Sequence, residues 1–409
     1  MLNRIWGGFF FVAFAVAAVR AFGYGESGVW ADMVGATFDL SKSAFEISLG
    51  LTGVMCLWLG VMKLGERGGA VDLLARGFAP LMTRLFPGVP AGHPAHGSMM
   101  MNLAANMLGL DNAATPLGLN AMRELQSLNP EPDRATDDQI LFLVVNTSAV
   151  TVIPATIFVY RAQLGAADPT DVFVPILIAT FCSTLTGLLA TAAVQGLKLW
   201  NRVVLAYLGA MTAAVAGMAV YFARLPREIM ERQSSLLSNF VIFAVIVCFI
   251  ALAAARRVPL YETFVEGAKE GFQVAITIIP FLVAMLVAIG VFRASGALDL
   301  LLDGARWTVT RLGLDTRWVE GLPTALMRPL SGSGARGMMI ETMKTHGADS
   351  FAGRLVSVMQ GSTETTFYVL AVYFGSVGIR RSRHALACGL AADAAGITAA
   401  ILVTYLFFG

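Results

Sequence analysis

Several stretches of this chain run for about 16 to 20 residues without a charged side chain, Val203 to Phe222 and Phe240 to Ala255 among them. That is close to the length a helix needs to cross the hydrocarbon core of a bilayer. Lipid offers no hydrogen bonds to bare backbone, so runs of this kind fold as helices whose amides and carbonyls pair internally. The rest of the composition agrees: charged residues make up 14% of the 409 residues, about half the share of an ordinary soluble protein. The expected fold class is therefore all-α, a polytopic membrane protein with the lipid bilayer as its main solvent. The net charge of +2 and the lack of a basic tract interleaved with aromatics exclude a nucleic-acid partner.

Hydropathy and helix breakers predict nine spans, at about 5–22, 46–65, 139–160, 172–194, 203–222, 236–255, 272–292, 354–376 and 385–408. The first is read as a retained helix, because Arg20 stands directly before the only candidate cleavage site. Two further stretches, 94–122 and 320–343, are apolar enough to enter the membrane but are interrupted by Gly, Pro and hydrogen-bonding side chains. Backbone broken in this way persists at membrane depth only where protein or a wet cavity satisfies it, so these stretches are expected as broken or re-entrant helical hairpins flanking a site. Each follows an amphipathic segment, Arg67 to Phe86 or Ala294 to Leu312, and each precedes two further spans. The order of features repeats over roughly 45–194 and 271–408.

If each hairpin returns to the side it entered from, five crossings separate the repeat starts, and the repeats are inverted. The expected division is a first helix and connector at 1–44, one repeat at 45–200, connecting helices at 201–270 and the second repeat at 271–409. Lys63, Arg67, Arg76, Arg84, Lys198, Arg202, Arg256, Arg257, Arg380, Arg381 and Arg383 then fall on one side with Arg4, which would be cytoplasmic; Arg306, Arg311 and Arg317 fall on the other. Inverted repeats meeting at interrupted helices are a recurring plan of secondary transporters.

The polar residues inside these segments are the candidate site. Asn102 and Asn106, four apart, share a helical face, and Asp111 and Asn112 can cap a helix resumed after the turn. In the second hairpin Ser331, Ser333 and the intervening glycines allow close backbone approach, while Arg328 and Arg336 flank the turn. Arg336 needs an anionic partner, either a solute, Glu341 or Glu364. The spans that follow carry Asn146, Thr147 and Ser148 with a kinking Pro154, and Gln360, Ser362, Thr363 and Glu364. Intramembrane carboxylates pair, face a cavity or relay protons, which singles out Glu364 and, in the last span, Asp393 as groups that could bind a coupling H⁺ or Na⁺. Helix capping and interhelical hydrogen bonding are the plainer readings of every one of these residues.

Other features carry little. Cys56, Cys182, Cys248 and Cys388 lie singly in separate apolar segments and read as buried hydrophobes. Pro94 spoils the His93 and His96 pair as metal ligands, and Met99 to Met101 point in different directions. There is no phosphate loop, nucleophile elbow or HExxH motif, so no catalytic residue, cofactor or resident metal is expected.

The segment "NMLGLDNAATPLGLNAM" resembles the spore maturation protein A family, and "RPLSGSGARGMM" with "QGSTETTFYVLAVYFGSVGIRR" resembles the spore maturation protein B family. Both belong with the nucleoside-recognition or Gate domains, here in tandem from about residue 40 onward. The resemblance implies a multi-pass bacterial inner-membrane protein related in architecture to concentrative nucleoside transporters and to the membrane part of ferrous-iron transporter B; the GTP-binding domain of the latter has no counterpart here. The expected function is a secondary carrier of a small polar or anionic solute, nucleoside-like among the options. In that reading Asn102, Asn106, Asn112 and Gln360 orient the solute and Arg336 compensates negative charge. The alternative is a non-transporting membrane assembly factor, and copies of the chain could also associate with one another.

Overall fold

The computed structural model describes residues 2–90, 92–108, 111–148 and 151–409, without the side chains of residues 2, 3, 111–113 and 227. The described residues are helical, with a lone bridge between Arg134 and Arg381 in place of any strand. The helices are α1 (Leu2–Ala18, continued by a π-helical turn to Gly23), α2 (Val29–Gly68), α3 (Ala70–Leu85), α4 (Pro94–Met107), α5 (Asp111–Ser127), α6 (Asp137–Ser148), α7 (Ala155–Gln163), α8 (Phe173–Gln195) and α9 (Arg202–Ala223). The second half adds α10 (Arg227–Ala255), α11 (Leu260–Ala294), α12 (Ala297–Arg311), α13 (Leu322–Met327), α14 (Gly332–His346), α15 (Phe351–Ser362), α16 (Thr366–Ser376) and α17 (Ala385–Phe408).

Seven helices are long and apolar enough to cross a membrane: α1, α2, α8, α9, α10, α11 and α17. The crossings expected over 139–160 and 354–376 are each interrupted, as α6 with α7 and α15 with α16. Seven continuous and two interrupted crossings agree with the expected number. The chain is an all-α, multi-pass membrane protein. Both interrupted stretches form hairpins: α4 and α5 turn back toward one end of the helix stack, and α13 and α14 toward the other.

The first repeat, α2 to α8, is matched element by element by α11 to α17, and the antiparallel partners are their first helices. Gly60 lies against Phe264, Gly271 against the Met55 carbonyl and Gly290 against Leu40, so α2 and α11 touch along most of their length. A Cβ on Gly267 would stand 2.4 Å from the Leu59 carbonyl oxygen. Small residues permit such backbone contact between membrane helices, where packing rather than a hydrophobic drive holds helices together. Charge pairs close one end: Lys63 with Glu270 at 3.0 Å, Arg67 with Glu266 at 2.7 Å and Arg256 with Asp72 at 3.2 Å.

The hairpins and interrupted helices of the two repeats are clasped to each other at both ends of the stack. At one end the fully buried Arg161 on α7 holds Asp171 at 2.8 Å and Asp349 at 3.2 Å, and also donates to the Ala348 carbonyl at 2.7 Å. Arg354 on α15 reaches the same Asp171 at 2.8 Å. At the other end the α5–α6 loop meets the α16–α17 loop, where Arg381 pairs with Asp133 at 2.8 Å and Arg383 with Asp137 at 2.7 Å. These are corresponding loops of the inverted repeats, dry on one side and solvated on the other. In the solvated clasp the hydrogen bond from Arg381 holds the Asp133 carboxyl below the usual carboxylate range.

Candidate functional site

Four helix pairs break near mid-height, and the breaks satisfy each other's backbone. The Met107 carbonyl at the end of α4 accepts from the Val152 amide at 2.9 Å. In the second repeat the Pro329 carbonyl, at the corresponding hairpin tip, accepts from Phe367 at 3.0 Å. The two interrupted helices join directly, Glu364 N–H donating to the Thr147 carbonyl at 2.7 Å. The Ser148 carbonyl receives the hydroxyls of Thr180 and Thr184 at 3.4 and 3.3 Å, and the Thr363 carbonyl receives the Arg328 guanidinium. Buried backbone groups are rarely left unpaired, and partners from neighbouring breaks and from α8 are what allow these helices to stop inside the membrane.

Where the breaks meet there is a cavity of about 260 Å³, close to the lower end of the roughly 300–1,000 Å³ typical of small-molecule sites. Asn106 and Asn146, Arg328 and Arg336, Gln360 and Glu364 line it, with Tyr160, Tyr368 and Tyr373. Asn106 donates to Asn146 at 2.9 Å, and Asn146 donates in turn to the Phe142 carbonyl at 2.8 Å, so the pair is held as a fixed acceptor and donor face. Glu364 is 42% exposed and stands 3.5 Å from Arg328, whose side chain is only 5% exposed. The Arg336 guanidinium lies 5.7 Å from the centre of the Tyr160 ring, within cation–π reach. Behind the lining surface, the Arg328 Nε and the Gln360 Oε1 are buried without a hydrogen-bond partner. The first turns of α5, α7, α14 and α16 also border the cavity. A helix N-terminus carries partial positive charge.

The structure thus brings Asn106, Asn146, Arg336, Gln360 and Glu364 together, and places the other expected residues elsewhere. Asn102 is fully buried behind the lining, donating to the Ala114 carbonyl at 2.8 Å and lying 3.4 Å from the Tyr373 hydroxyl. Ser148 and Ser362 bond back to their own helices, at Val145 and Met359. Ser331 caps α14 by accepting from Gly334 N–H at 3.0 Å. Ser333 faces a shallow apolar depression beside Trp6 and Phe281. Thr363 and Asp393 are buried beneath the α15–α16 break, with Thr366 donating to Asp393 at 2.7 Å. Asp111 and Asn112 begin α5, but their side chains lie outside the described residues. Reading the sequence left out the tyrosines. Their signal is a phenol in an otherwise apolar half-helix, one or two turns past a break. Gly118 is the counterpart to Tyr373, since a Cβ there would meet its hydroxyl at 2.1 Å.

The comparisons with known proteins agree with this architecture. The nucleoside-recognition (Gate) family model matches residues 48–167 and 275–380, more than half of the chain and one stretch in each repeat. Spore maturation protein B of Bacillus subtilis (strain 168) is 49% identical over 173 residues, covering 42% of this chain and 96% of that protein. Spore maturation protein A of the same organism is 39% identical over 183 residues, covering 45% of this chain and 90% of that protein. Sequences like both relatives stand in one polypeptide, and the chain belongs to the nucleoside-recognition (Gate) family as a fusion of its spore maturation A-like and B-like members.

Proposed function

We propose that the chain is a secondary carrier of a small polar solute, seated in a bacterial inner membrane, with the cavity between the four breaks as its binding site. The observation that carries this reading is the convergence of Asn106, Asn146, Arg336, Gln360 and Glu364, from both repeats, on one cavity. Polar groups are costly inside a membrane, and those that pack helices pair off in dry contacts. Here polar side chains of both repeats, Arg328 and Arg336 among them, border one cavity instead. The family's description makes nucleosides the first solutes to test, and their hydroxyls and base edges offer both acceptors and donors.

The clasps at both ends and the Glu364 to Thr147 bond at the centre tie the two repeats together, so access cannot alternate by parting them. The motion that remains is of the hairpins and interrupted helices as one body against the α2–α11 pair. A disulfide across that boundary, between Met285→Cys and Gly337→Cys where the native Cβ positions are 3.0 Å apart, should abolish uptake. The same variant with that bridge reduced should transport as before. It needs the four native cysteines replaced, and equal uptake in the two states would rule out this motion.

A thermal-shift screen of the purified protein against nucleosides, amino acids and organic anions tests binding. A true ligand at a hundredfold over its Kd stabilises by about 2.7 kcal/mol. Glu364→Gln, which removes a charge-assisted partner worth about 1.5–3 kcal/mol, is expected to lower affinity about 10- to 100-fold, and Asn106→Ala less. Liposome uptake unchanged in both variants would rule out this cavity as the solute site, and wild-type protein that takes up none of the solutes that stabilise it would end the carrier reading. A non-transporting assembly role would instead use a surface such as α9, only 6% buried along its apolar window.

A further inference from the structure

Asp393 is the buried carboxyl that the cavity does not use. It sits on α17 between Gly389 and Gly396, and both glycines press against the α15–α16 break: a Cβ on Gly389 would meet Thr366 at 2.8 Å, and one on Gly396 would meet Thr363 at 2.5 Å. The side chain is 2% exposed. Its Oδ2 accepts from the Thr366 hydroxyl at 2.7 Å. The Thr363 hydroxyl, also 2% exposed, is its other hydroxyl neighbour. The charged groups that face it are Arg328 and Glu364. On the same helix Gly396 meets Ser183 of α8, whose hydroxyl donates to the Ala392 carbonyl at 2.9 Å, and Gly389 meets Thr147 of α6, whose hydroxyl donates to the Val144 carbonyl at 3.0 Å.

The Thr363 and Thr366 hydroxyls can serve an anion as donors but do not offset its charge: Arg328, the cation that faces the site, is engaged by the Thr363 carbonyl and by Glu364, and a carboxylate buried in a membrane span is costly unless paired. We propose that Asp393 is a proton-binding site: it is held as the neutral acid, with Oδ2 accepting from Thr366 and the proton on Oδ1 donated to the Thr363 hydroxyl. When that proton leaves for solvent, the anion draws both threonines toward itself as donors and loosens the 363–366 break. The same break carries the Thr363 carbonyl that anchors Arg328 and the Glu364 that lines the cavity. Asp393 thereby links protonation to the shape of the site, and only the use of that link for coupled transport rests on the carrier reading.

Asp393→Asn is the direct test, because an amide keeps the acceptor for Thr366 and supplies a fixed donor to Thr363. Infrared difference spectra between neutral and alkaline pH should show a protonated-carboxyl band that disappears with deprotonation in the wild type and is missing in Asp393→Asn. Hydrogen exchange of a peptide spanning 360–368, corrected for its intrinsic pH dependence, should accelerate roughly tenfold over the same range in the wild type, the loss of about one hydrogen bond, and stay constant in the variant. A carboxyl band unaltered by the substitution, or equal acceleration in the variant, would overturn the proposal. So would a response to Na⁺ at fixed pH that the substitution removes. Neither readout uses a solute, so failed uptake in liposomes would leave the site standing, and a failed titration would leave uncoupled carriage standing.

Discussion

Arg161→Ala should destabilise the protein by about 3–5 kcal/mol, the cost of stripping one partner from a buried ion network. The guanidinium is fully buried and holds two carboxylates and the carbonyls of Ala348 and Pro169, so removal leaves a void, takes the cation from Asp349 and leaves Asp171 to Arg354. The contacts join α7 of the first repeat to the α14–α15 turn of the second, and the loss should therefore appear as early unfolding of the interface between repeats. Arg161→Lys keeps the charge but not the planar fork, and should fall between. The built-in comparison is Arg381→Ala in the corresponding clasp at the opposite end, where both partners are more than half exposed and little change is expected. Thermal unfolding of the three variants in one detergent measures the series. An Arg161→Ala variant that melts with the wild type would show that this clasp does not hold the repeats together.

Gly267→Leu is expected to cost about 3 kcal/mol or more, at or beyond the upper end of ordinary overpacking. The obstruction is main chain rather than a movable side-chain tip: the new Cβ would stand 2.4 Å from the Leu59 carbonyl oxygen and 2.6 Å from the Lys63 Cβ. To admit a leucine, α2 and α11 must move apart, which also stretches the Lys63 to Glu270 and Arg67 to Glu266 pairs. Gly209→Leu on α9, with nothing within 4 Å of its Cβ position, is the control and should leave stability unaltered. A Gly267→Leu protein as stable as that control would mean that α2 and α11 are not in backbone contact.

Much of this architecture is written in local patterns. Uncharged runs mark α9 and α10, and the Gly, Pro and Asn interruptions of 94–122 and 320–343 mark the hairpins, because a polar residue in lipid is conspicuous by its cost. The breaks inside the two later crossings were less legible. Residues 139–160 and 354–376 satisfy the length and hydropathy of an unbroken span, and Pro154 alone reads as a kink. What stabilises the interruptions is remote in sequence: Thr147 accepts from Glu364, and Val152 donates to Met107. No local window contains those partners. The same distance hid Arg161, which looks like the basic end of a span until Asp349 is folded against it. For the site, residue type located Asn106, Asn146, Arg336, Gln360 and Glu364, but Asn102, on the same face as Asn106 and one turn further from the break, gives its amide to the Ala114 carbonyl instead.

The helices between the repeats lie against the outside of the first, α10 on α2 where Gly65 meets Phe249 and Gly68 meets Ala253, and their number sets what they are for. Each repeat crosses the membrane three times, so the second would enter inverted from wherever the first leaves off, and α9 with α10 merely returns the chain to the same face. Removing both should preserve the handedness of assembly, whereas removing one should insert the second half backwards. Their service is then stoichiometric: a two-helix tether keeps one A-like half beside one B-like half at an effective concentration that separately made halves would have to reach by diffusion and collision in the bilayer.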